Sequence, residues 1–226
     1  MPAPRPPPPS AETVPDTRAR LLGCALRLFS ELGFARTSTR ALAEAAGANL
    51  AAIRYYFGDK AGLYRATFEE LCIVDASAAT SSAPAAGPQP LADWLAGYFA
   101  GFTEPLKQGE RMRQVLRLHI REMLEPTEQS RTKRERTAAL HAHLVGELCR
   151  ALGLAQADDD VHRLAIAIGG LGLQLVVAHE RLETDLPGLF AAPAALDAWR
   201  SRLVEFALAL VQAERQRRDG APPHSS

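Results

Sequence analysis

The chain has 226 residues; 47% are apolar, and 26 basic side chains balance 26 acidic ones. These values are typical of a globular protein with one large domain, or with a small domain joined to a larger one, and the zero net charge excludes a polybasic scaffold. The three cysteines, Cys24, Cys72 and Cys149, are too few and too scattered for a disulfide framework or a cysteine-based zinc site. We therefore expect a reducing, cytoplasmic environment.

The two ends of the chain differ in composition from the rest. Residues 1–15 are mostly proline, alanine and small polar residues, which predicts a disordered or polyproline-type tail, and residues 217–226 predict a second one. The N-terminus has no apolar core and does not resemble a signal peptide. The longest apolar run, residues 164–178, contains Gln174 and is short for a bilayer, so we expect a buried or interface helix and no membrane span.

The segments between the tails have helical character throughout. Alanine, leucine, arginine and glutamate dominate and β-branched alternation is absent, so the sequence predicts an all-α protein of about nine helices. The first three form a compact head, residues 16–65, and the others a larger domain, residues 66–216. Cap and breaker residues give the expected helices: 16–33, 38–47, 49–57, one from 60 onward, 91–104, 110–124, 128–152, 159–183 and 194–216.

Basic residues are concentrated in the head. Between Thr17 and Arg65 there are eight basic residues and three acidic ones, a net charge of +5 in a protein whose total is zero. Such positive potential attracts the phosphates of nucleic acid. The alternative is a chance distribution, because arginine is common throughout the chain.

Residues 37–60 have the layout of a helix-turn-helix motif. A short helix is followed by a turn, with Gly47 where a left-handed backbone is needed, and by a second short helix. In this motif the second helix enters the major groove of DNA. Ile53 and Phe57 are four residues apart and face the first helix, and we assign Tyr56 to the core as well. The outward positions are among Leu50, Ala51, Ala52, Arg54 and Tyr55.

The same segment resembles the DNA-binding domain of the TetR family of bacterial transcriptional repressors. The resemblance covers about residues 17–65 and rests on the pairs Gly33-Phe34, Thr37-Ser38, Leu42-Ala43, Ala46-Gly47, Tyr56-Phe57 and Asp59-Lys60. Residues 51–60 also resemble a TetR subgroup whose members carry a distinct C-terminal domain.

The resemblance implies DNA contacts for nine residues. Phosphate contacts, which set register without reading sequence, are implied for Thr37, Ser38, Arg40, Tyr55 and Lys60, and base contacts for Asn49, Leu50, Ala52 and Arg54. Thr37 and Ser38 also cap the second helix. Arg54 can fork onto guanine or bind phosphate, and Leu50 and Ala52 either meet thymine methyl groups or only favour the helix.

TetR-like proteins are homodimers, because two heads that read a palindrome need a rigid two-fold interface. The apolar helix over 164–178 contains Gly169, Gly170 and Gly172, which permit close helix approach. We predict a four-helix dimer interface from this helix and the last one of each chain; the alternative is that both belong to the core of the protomer. The last helix contributes Leu203, Val204, Phe206, Ala207, Leu210 and Val211.

The resemblance also implies a pocket for a small-molecule effector among the fourth to eighth helices. The candidate lining residues are aromatic, soft or polar, and the alternative is that they are ordinary core residues. They are Trp94, Tyr98, Phe102, Met112, His119, Glu122 and Met123.

The sequence shows no pattern for a metal, a cofactor or a catalytic site. His141 and His143 are two residues apart, so their rings diverge on a helix, and residues 158–160 are typical of an acidic helix start. We therefore expect a dimeric, non-enzymatic transcriptional regulator, released from palindromic double-stranded DNA by an unknown effector. The alternative is an all-α carrier or enzyme that keeps the head only as a structural unit, and activation instead of repression is also open.

Overall fold

The computed structural model describes residues 16–72, 89–128, 131–190, 192 and 194–220. Within these residues the chain forms nine α-helices and no strand, which confirms the all-α prediction. The helices are α1 (Thr17–Arg36), α2 (Thr39–Ala45), α3 (Leu50–Phe57), α4 (Lys60–Thr67, continued by the π-helical turn Phe68–Cys72), α5 (Leu91–Leu106), α6 (Glu110–Leu124), α7 (Arg131–Leu152), α8 (Asp159–Asp185) and α9 (Ala195–Gly220). The predicted tail over 1–15 and most of the loop over 81–90 lie outside the described residues.

Helix α9 extends beyond its predicted end. We expected a disordered tail from Arg217, but the helix continues to Gly220. Arg217 donates to an oxygen of Asp160 at 2.7 Å, and Arg218 donates to both carboxylate oxygens of Asp158 at 2.8 and 2.9 Å. The Arg218 guanidinium holds the pKa of the Asp158 carboxyl well below its usual range. These ion pairs tie the last turns of α9 to the start of α8, which explains the difference from the prediction.

The core of the head continues into a helix of the C-terminal region. Side chains of α1 to α4, among them Phe29, Leu42 and Ile53, form one buried cluster. The same cluster includes three residues of α6: Met112, Val115 and Leu118. Because burying such a side chain contributes about 1.5–3 kcal/mol, α6 supplies a substantial part of the stability of the head.

A second core lies between α5, α7, α8 and α9. A Cβ atom on Gly172 of α8 would lie 2.7 Å from the Phe102 ring of α5, and one on Gly169 would lie 3.2 Å from the Tyr98 hydroxyl oxygen. These two glycines therefore allow α8 to approach α5 within one protomer. Our assignment of them to the dimer interface was wrong; Gly170, by contrast, is exposed and would meet nothing within 4 Å.

Helices α8 and α9 each carry a buried and an exposed apolar face. On α9, Leu203, Ala207 and Val211 are buried within the protomer, so half of the predicted interface stripe belongs to the core. Phe206 and Leu210 remain 41% and 37% exposed. On α8, the exposed apolar side chains include Ile166 and Val177. The two helices thus keep an apolar surface that the described part of the protomer does not cover.

Helix α8 is also long and apolar enough to cross a membrane, judged by length and composition alone. Its most apolar stretch has a mean hydropathy of 1.7, and 28% of that stretch is buried. The core helix of a soluble protein passes the same test, so this indication of a membrane span is weak.

Candidate nucleic-acid interface

Two side-chain caps and one glycine fix the helix-turn-helix geometry. Ser38 Oγ accepts a hydrogen bond from the Ala41 N–H at 3.0 Å, and Asn49 Oδ1 accepts one from the Ala52 N–H at 2.9 Å. Each satisfies a backbone donor that a helix start leaves unpaired. Gly47, in the turn between α2 and α3, has a φ of 58°, which glycine adopts without steric cost. The predicted caps Ser38 and Asn49 and the predicted turn at Gly47 are confirmed.

Helix α3 presents a mostly exposed surface on the side away from the core. Ile53 is buried against α1 and α2 and anchors the helix, whereas Leu50 is 52% and Tyr55 82% exposed. Arg54 and Ala51 are exposed beside them. We call Leu50, Ala51, Arg54 and Tyr55 the recognition face. It carries one cation, one hydroxyl and two apolar side chains that can contact the groove of a duplex.

Ala52 does not belong to the recognition face. Its side chain is half-buried and packs against the core of the head. Ala51 faces outward instead. Helical periodicity predicts this orientation, because Ala51 lies about 160° around the helix from the buried Ile53.

Tyr56 departs from the core position that we expected. Its side chain is 36% exposed, and its ring packs edge-on against Tyr55 with the centroids 4.9 Å apart. Phe57 is half-buried against the core of the head, and the Arg18 guanidinium lies 5.3 Å from its ring centroid. One of the two adjacent aromatic residues therefore anchors α3, and the other adds a hydroxyl to the surface beside the recognition face.

Thr37 also differs from the prediction. It is 1% exposed, and its hydroxyl donates to the Gly33 carbonyl at 2.8 Å. Ser38 alone caps α2. The Thr37 hydroxyl closes the end of α1 from within the core, so it is not available to a phosphate on the surface.

Two predicted phosphate ligands already have partners within the head. Lys60 Nζ donates to the carbonyls of Phe34 at 2.9 Å and Thr37 at 3.0 Å, and because an ammonium carries three protons, one donor remains. Arg40 is exposed and pairs with Glu44 at 2.8 Å. Exposed pairs of this kind contribute little to stability, so the arginine can exchange its carboxylate for a phosphate at small cost.

Both parts of the chain match known families. Residues 21–67 match the bacterial regulatory proteins of the tetR family, and residues 91–213 match the C-terminal domain of the HTH-type transcriptional dual regulator CecR. The sequence is 32% identical to the HTH-type transcriptional regulator BetI of Burkholderia mallei over 167 residues, 74% of this chain and 85% of the relative. The chain belongs to the TetR family of bacterial transcriptional regulators. The second match also confirms the predicted resemblance to a subgroup with a distinct C-terminal domain.

Solved structures share the fold of this TetR-family regulator. The TetR-like regulator from Rhodococcus sp. RHA1 is 24% identical and superposes with a TM-score of 0.58 over 85% of this chain and 96% of its own. SmeT in its complex with triclosan is 20% identical and superposes with a TM-score of 0.52 over 88% of this chain and 90% of its own.

The seven residues predicted to line an effector pocket do not lie together in this regulator. Trp94, Tyr98 and Phe102 form a row on α5, with neighbouring rings 5.4 Å apart in both pairs. This row belongs to the second core, where burial raises the pKa of Tyr98 to about 12. Met112 belongs instead to the core of the head, and Met123 is 50% exposed. The prediction of one shared lining was therefore wrong.

The remaining two candidates connect α6 to α4. His119 packs against the Phe68 ring with the centroids 5.6 Å apart. Glu122 is 4% exposed and accepts hydrogen bonds from the Tyr64 hydroxyl on α4, from the Thr127 N–H at 2.6 Å and from the Thr127 hydroxyl at 2.9 Å. These residues hold the C-terminal region against the head.

Arg121 makes a second connection of this kind. Its guanidinium donates to the Ser30 carbonyl at 3.3 Å and to the Glu31 carbonyl at 3.0 Å, both in the last turns of α1. Glu125, four residues further along the same helix, is 3.8 Å from the guanidinium. The contact could not be found from the sequence, because it depends on where α6 lies relative to α1.

A groove of about 580 Å³ lies in the C-terminal region, between the start of α5 and the ends of α7 and α9. Its walls include Leu91, Arg150 and Arg215, and none of the seven predicted lining residues. Among the described residues, no three histidine, cysteine or acidic side chains are grouped so as to hold a metal ion.

Proposed function

We propose that this regulator is a cytoplasmic homodimer that represses transcription from a palindromic duplex operator and is released when a small molecule binds its C-terminal domain. The observation that carries the proposal is the recognition face, which stands exposed on a helix anchored by Ile53 and capped by Asn49. A short helix held in this way presents side chains to base edges in the major groove.

We divide the contacts of this interface into two kinds. Base contacts are assigned to Asn49, Leu50 and Arg54, with Ala51 replacing Ala52, and phosphate contacts to Ser38, Arg40, Tyr55 and Lys60. Arg54 is the main candidate for sequence reading, because a guanidinium forks onto the two acceptors of guanine, and such a pair is worth about 1–3 kcal/mol of discrimination.

The test begins with selection of a duplex from a randomised library by the full-length protein, followed by gel-shift titrations. Arg54→Ala should weaken binding about tenfold or more and relax selection at one base position per half-site. Arg181→Gln, which removes an exposed arginine on α8, is the charge-matched control. If Arg54 binds phosphate, its loss weakens binding to all duplexes equally. A folded protein that retards no duplex at low salt would contradict the proposed function.

The apolar faces of α8 and α9 support the dimer. Four apolar side chains on these faces are exposed in the protomer: Ile166 and Val177 on α8, and Phe206 and Leu210 on α9. A second copy of the chain related by a two-fold axis would bury them against the same apolar surface. Phe206→Glu should produce monomers in sedimentation at micromolar concentration and weaken operator binding. Ser201→Glu on the same helix is exposed and lies on a different side, so it should leave the dimer intact.

The aromatic row on α5 supports the site of the effector. Trp94, Tyr98 and Phe102 are the predicted lining residues that lie together; Trp94 stacks on Tyr98, and Phe102 packs edge-on against Tyr98. Aromatic rings of this kind suit an apolar ligand with few polar groups. SmeT, which shares the fold, binds the aromatic compound triclosan in its structure. In a Trp199→Phe variant the remaining tryptophan is Trp94, so a library of small aromatic compounds can be screened by quenching of its fluorescence. A true effector quenches Trp94 and releases the selected duplex at the same concentration.

A further inference from the structure

A groove of about 470 Å³ lies beside α3, between the start of that helix and the start of α1. Its walls include Thr17 and Arg20 from α1, Gly47 and Asn49 from the turn, and Tyr55 and Tyr56 from α3. Arg20 had no role in the sequence-based prediction of the interface. The groove shares Tyr55 and Ala51 with the recognition face, so it adjoins the surface to which a duplex is proposed to bind.

Arg20 lacks the partners that a guanidinium in this position normally has. Its Nε atom is buried and has no hydrogen-bond acceptor within the described structure, and one terminal nitrogen donates to the Thr17 hydroxyl at 3.3 Å. Buried donors without an acceptor cost free energy, and those that persist in native structures call for an explanation. A ligand oxygen that enters the groove would satisfy the group.

The charges around the groove favour an anion. Arg18, two residues before Arg20, forms a two-pronged pair with Glu70 on the turn after α4. Arg20 has no carboxylate partner among the described residues, and the walls of the groove contain no acidic side chain. The first turn of α3 adds the partial positive charge of a helix N-terminus on the same side.

We propose that the groove holds one backbone phosphate of the operator in each half-site, and that Arg20 is its principal ligand. The inference rests on the proposed function and extends the interface from the helix-turn-helix to α1. A guanidinium whose donors form a rigid fork suits the geometry of a phosphodiester. Tyr56 also lines the groove. The contact fixes the position of the head on the duplex and carries no sequence information.

The test compares Arg20→Gln with the wild type on the duplex that the wild type selects. Loss of one phosphate contact from each protomer of a dimer should weaken binding about tenfold or more at 0.1 M salt. The slope of log K against log salt should become shallower by about 2, since each phosphate accounts for about 0.9. The sequence preference should not change. Arg20→Lys should recover most of the salt slope. Arg181→Gln, which removes the same charge from α8, should keep the wild-type slope.

Two further measurements separate phosphate binding from a structural role. Because the Arg20 Nε is unsatisfied in the free protein, Arg20→Gln should melt at the wild-type temperature or above; a structural arginine would lower it. Single uncharged methylphosphonate linkages are then placed at each position of one half-site in turn. At one position the modification should lower the affinity of the wild type but leave the affinity of Arg20→Gln the same as for the unmodified duplex.

The outcomes are distinguishable. Wild-type protein that binds no duplex contradicts the proposed function itself. Wild-type binding together with an unchanged salt slope in Arg20→Gln overturns the assignment of Arg20 alone. The third outcome is that inorganic phosphate at about 20 mM raises the melting temperature of the wild type but not of Arg20→Gln, while both proteins bind the duplex with the same affinity. The groove is then a site for free anions, and the proposal is also overturned.

Discussion

The packing of α8 on α5 makes a quantitative prediction about Gly172. An added Cβ would lie 2.7, 2.8 and 2.9 Å from three atoms of the Phe102 ring, which itself packs against Tyr98. Contacts under 3 Å force the ring or the helix to move, and overpacking of this kind typically costs about 1–3 kcal/mol. Alanine also favours the helix over glycine by about 1 kcal/mol. Gly172→Ala should therefore be neutral to about 2 kcal/mol less stable than the wild type.

The matched control is Gly146, a mid-helix glycine of α7 that is exposed and would meet nothing within 4 Å. Gly146→Ala should gain up to about 1 kcal/mol from helix propensity alone. The two variants should thus differ by about 1–3 kcal/mol, or about 2–12 °C in melting temperature for a chain of this size. Melting is followed by circular dichroism at one fixed protein concentration, because dimers melt in a concentration-dependent way. A Gly172→Ala protein that melts as high as Gly146→Ala would refute the packing argument, and Phe102→Leu should relieve the clash in the double variant.

Three other predictions follow from buried polar groups. Thr37→Val should lose about 1 kcal/mol of stability in urea denaturation, with unchanged operator affinity per folded molecule; weaker binding would show that the hydroxyl does reach DNA. Glu122→Gln places amide protons opposite the donors of Tyr64 and Thr127, and should lower stability by about 1–3 kcal/mol in the same assay. A variant as stable as the wild type would contradict the role of Glu122 in holding α6 against α4. Burial lowers the pKa of His179, whose Nδ1 has no hydrogen-bond partner among the described residues. The unfolded chain therefore takes up a proton before the folded one, and stability falls as pH drops below about 6.5. The melting temperature of His179→Phe should depend less on pH than that of the wild type between pH 7 and 5.5, and equally above pH 7. The same acid dependence in both proteins would contradict the assignment to His179.

The parts of the fold that depend on neighbours in the chain could be predicted from the sequence. Ser38 and Asn49 cap their helices, and Gly47 adopts the left-handed turn, because each of these interactions spans at most three residues. Ile53 faces the core, as predicted from helical periodicity in α3 and from the apolar face that α1 presents to it. The recognition face follows from the same periodicity, with Ala51 outward and Ala52 half inward.

The errors concern side chains whose surroundings depend on the arrangement of whole helices. Tyr56 carries an aromatic ring like Phe57, but the space that it faces is the open groove beside Arg20 and not the core. Periodicity places Met112 and Trp94 on the apolar faces of their helices correctly. It cannot show that α6 turns its face to the head and α5 turns its face to α8. The effector residues were therefore grouped by chemistry although the fold separates them.

The position of α6 bears directly on how a ligand in the C-terminal domain could move the head. Helix α6 buries Met112 and its neighbours in the core of the head, and its last turn binds the end of α1 through Arg121 and α4 through Glu122. A rigid-body shift of α6 against α5 therefore carries α1 and α4 with it, because packed cores and buried hydrogen bonds transmit displacement without absorbing it. In the proposed mechanism the effector needs only to favour one position of α6 over another. The change in operator affinity is then limited by the difference in effector affinity between those two positions.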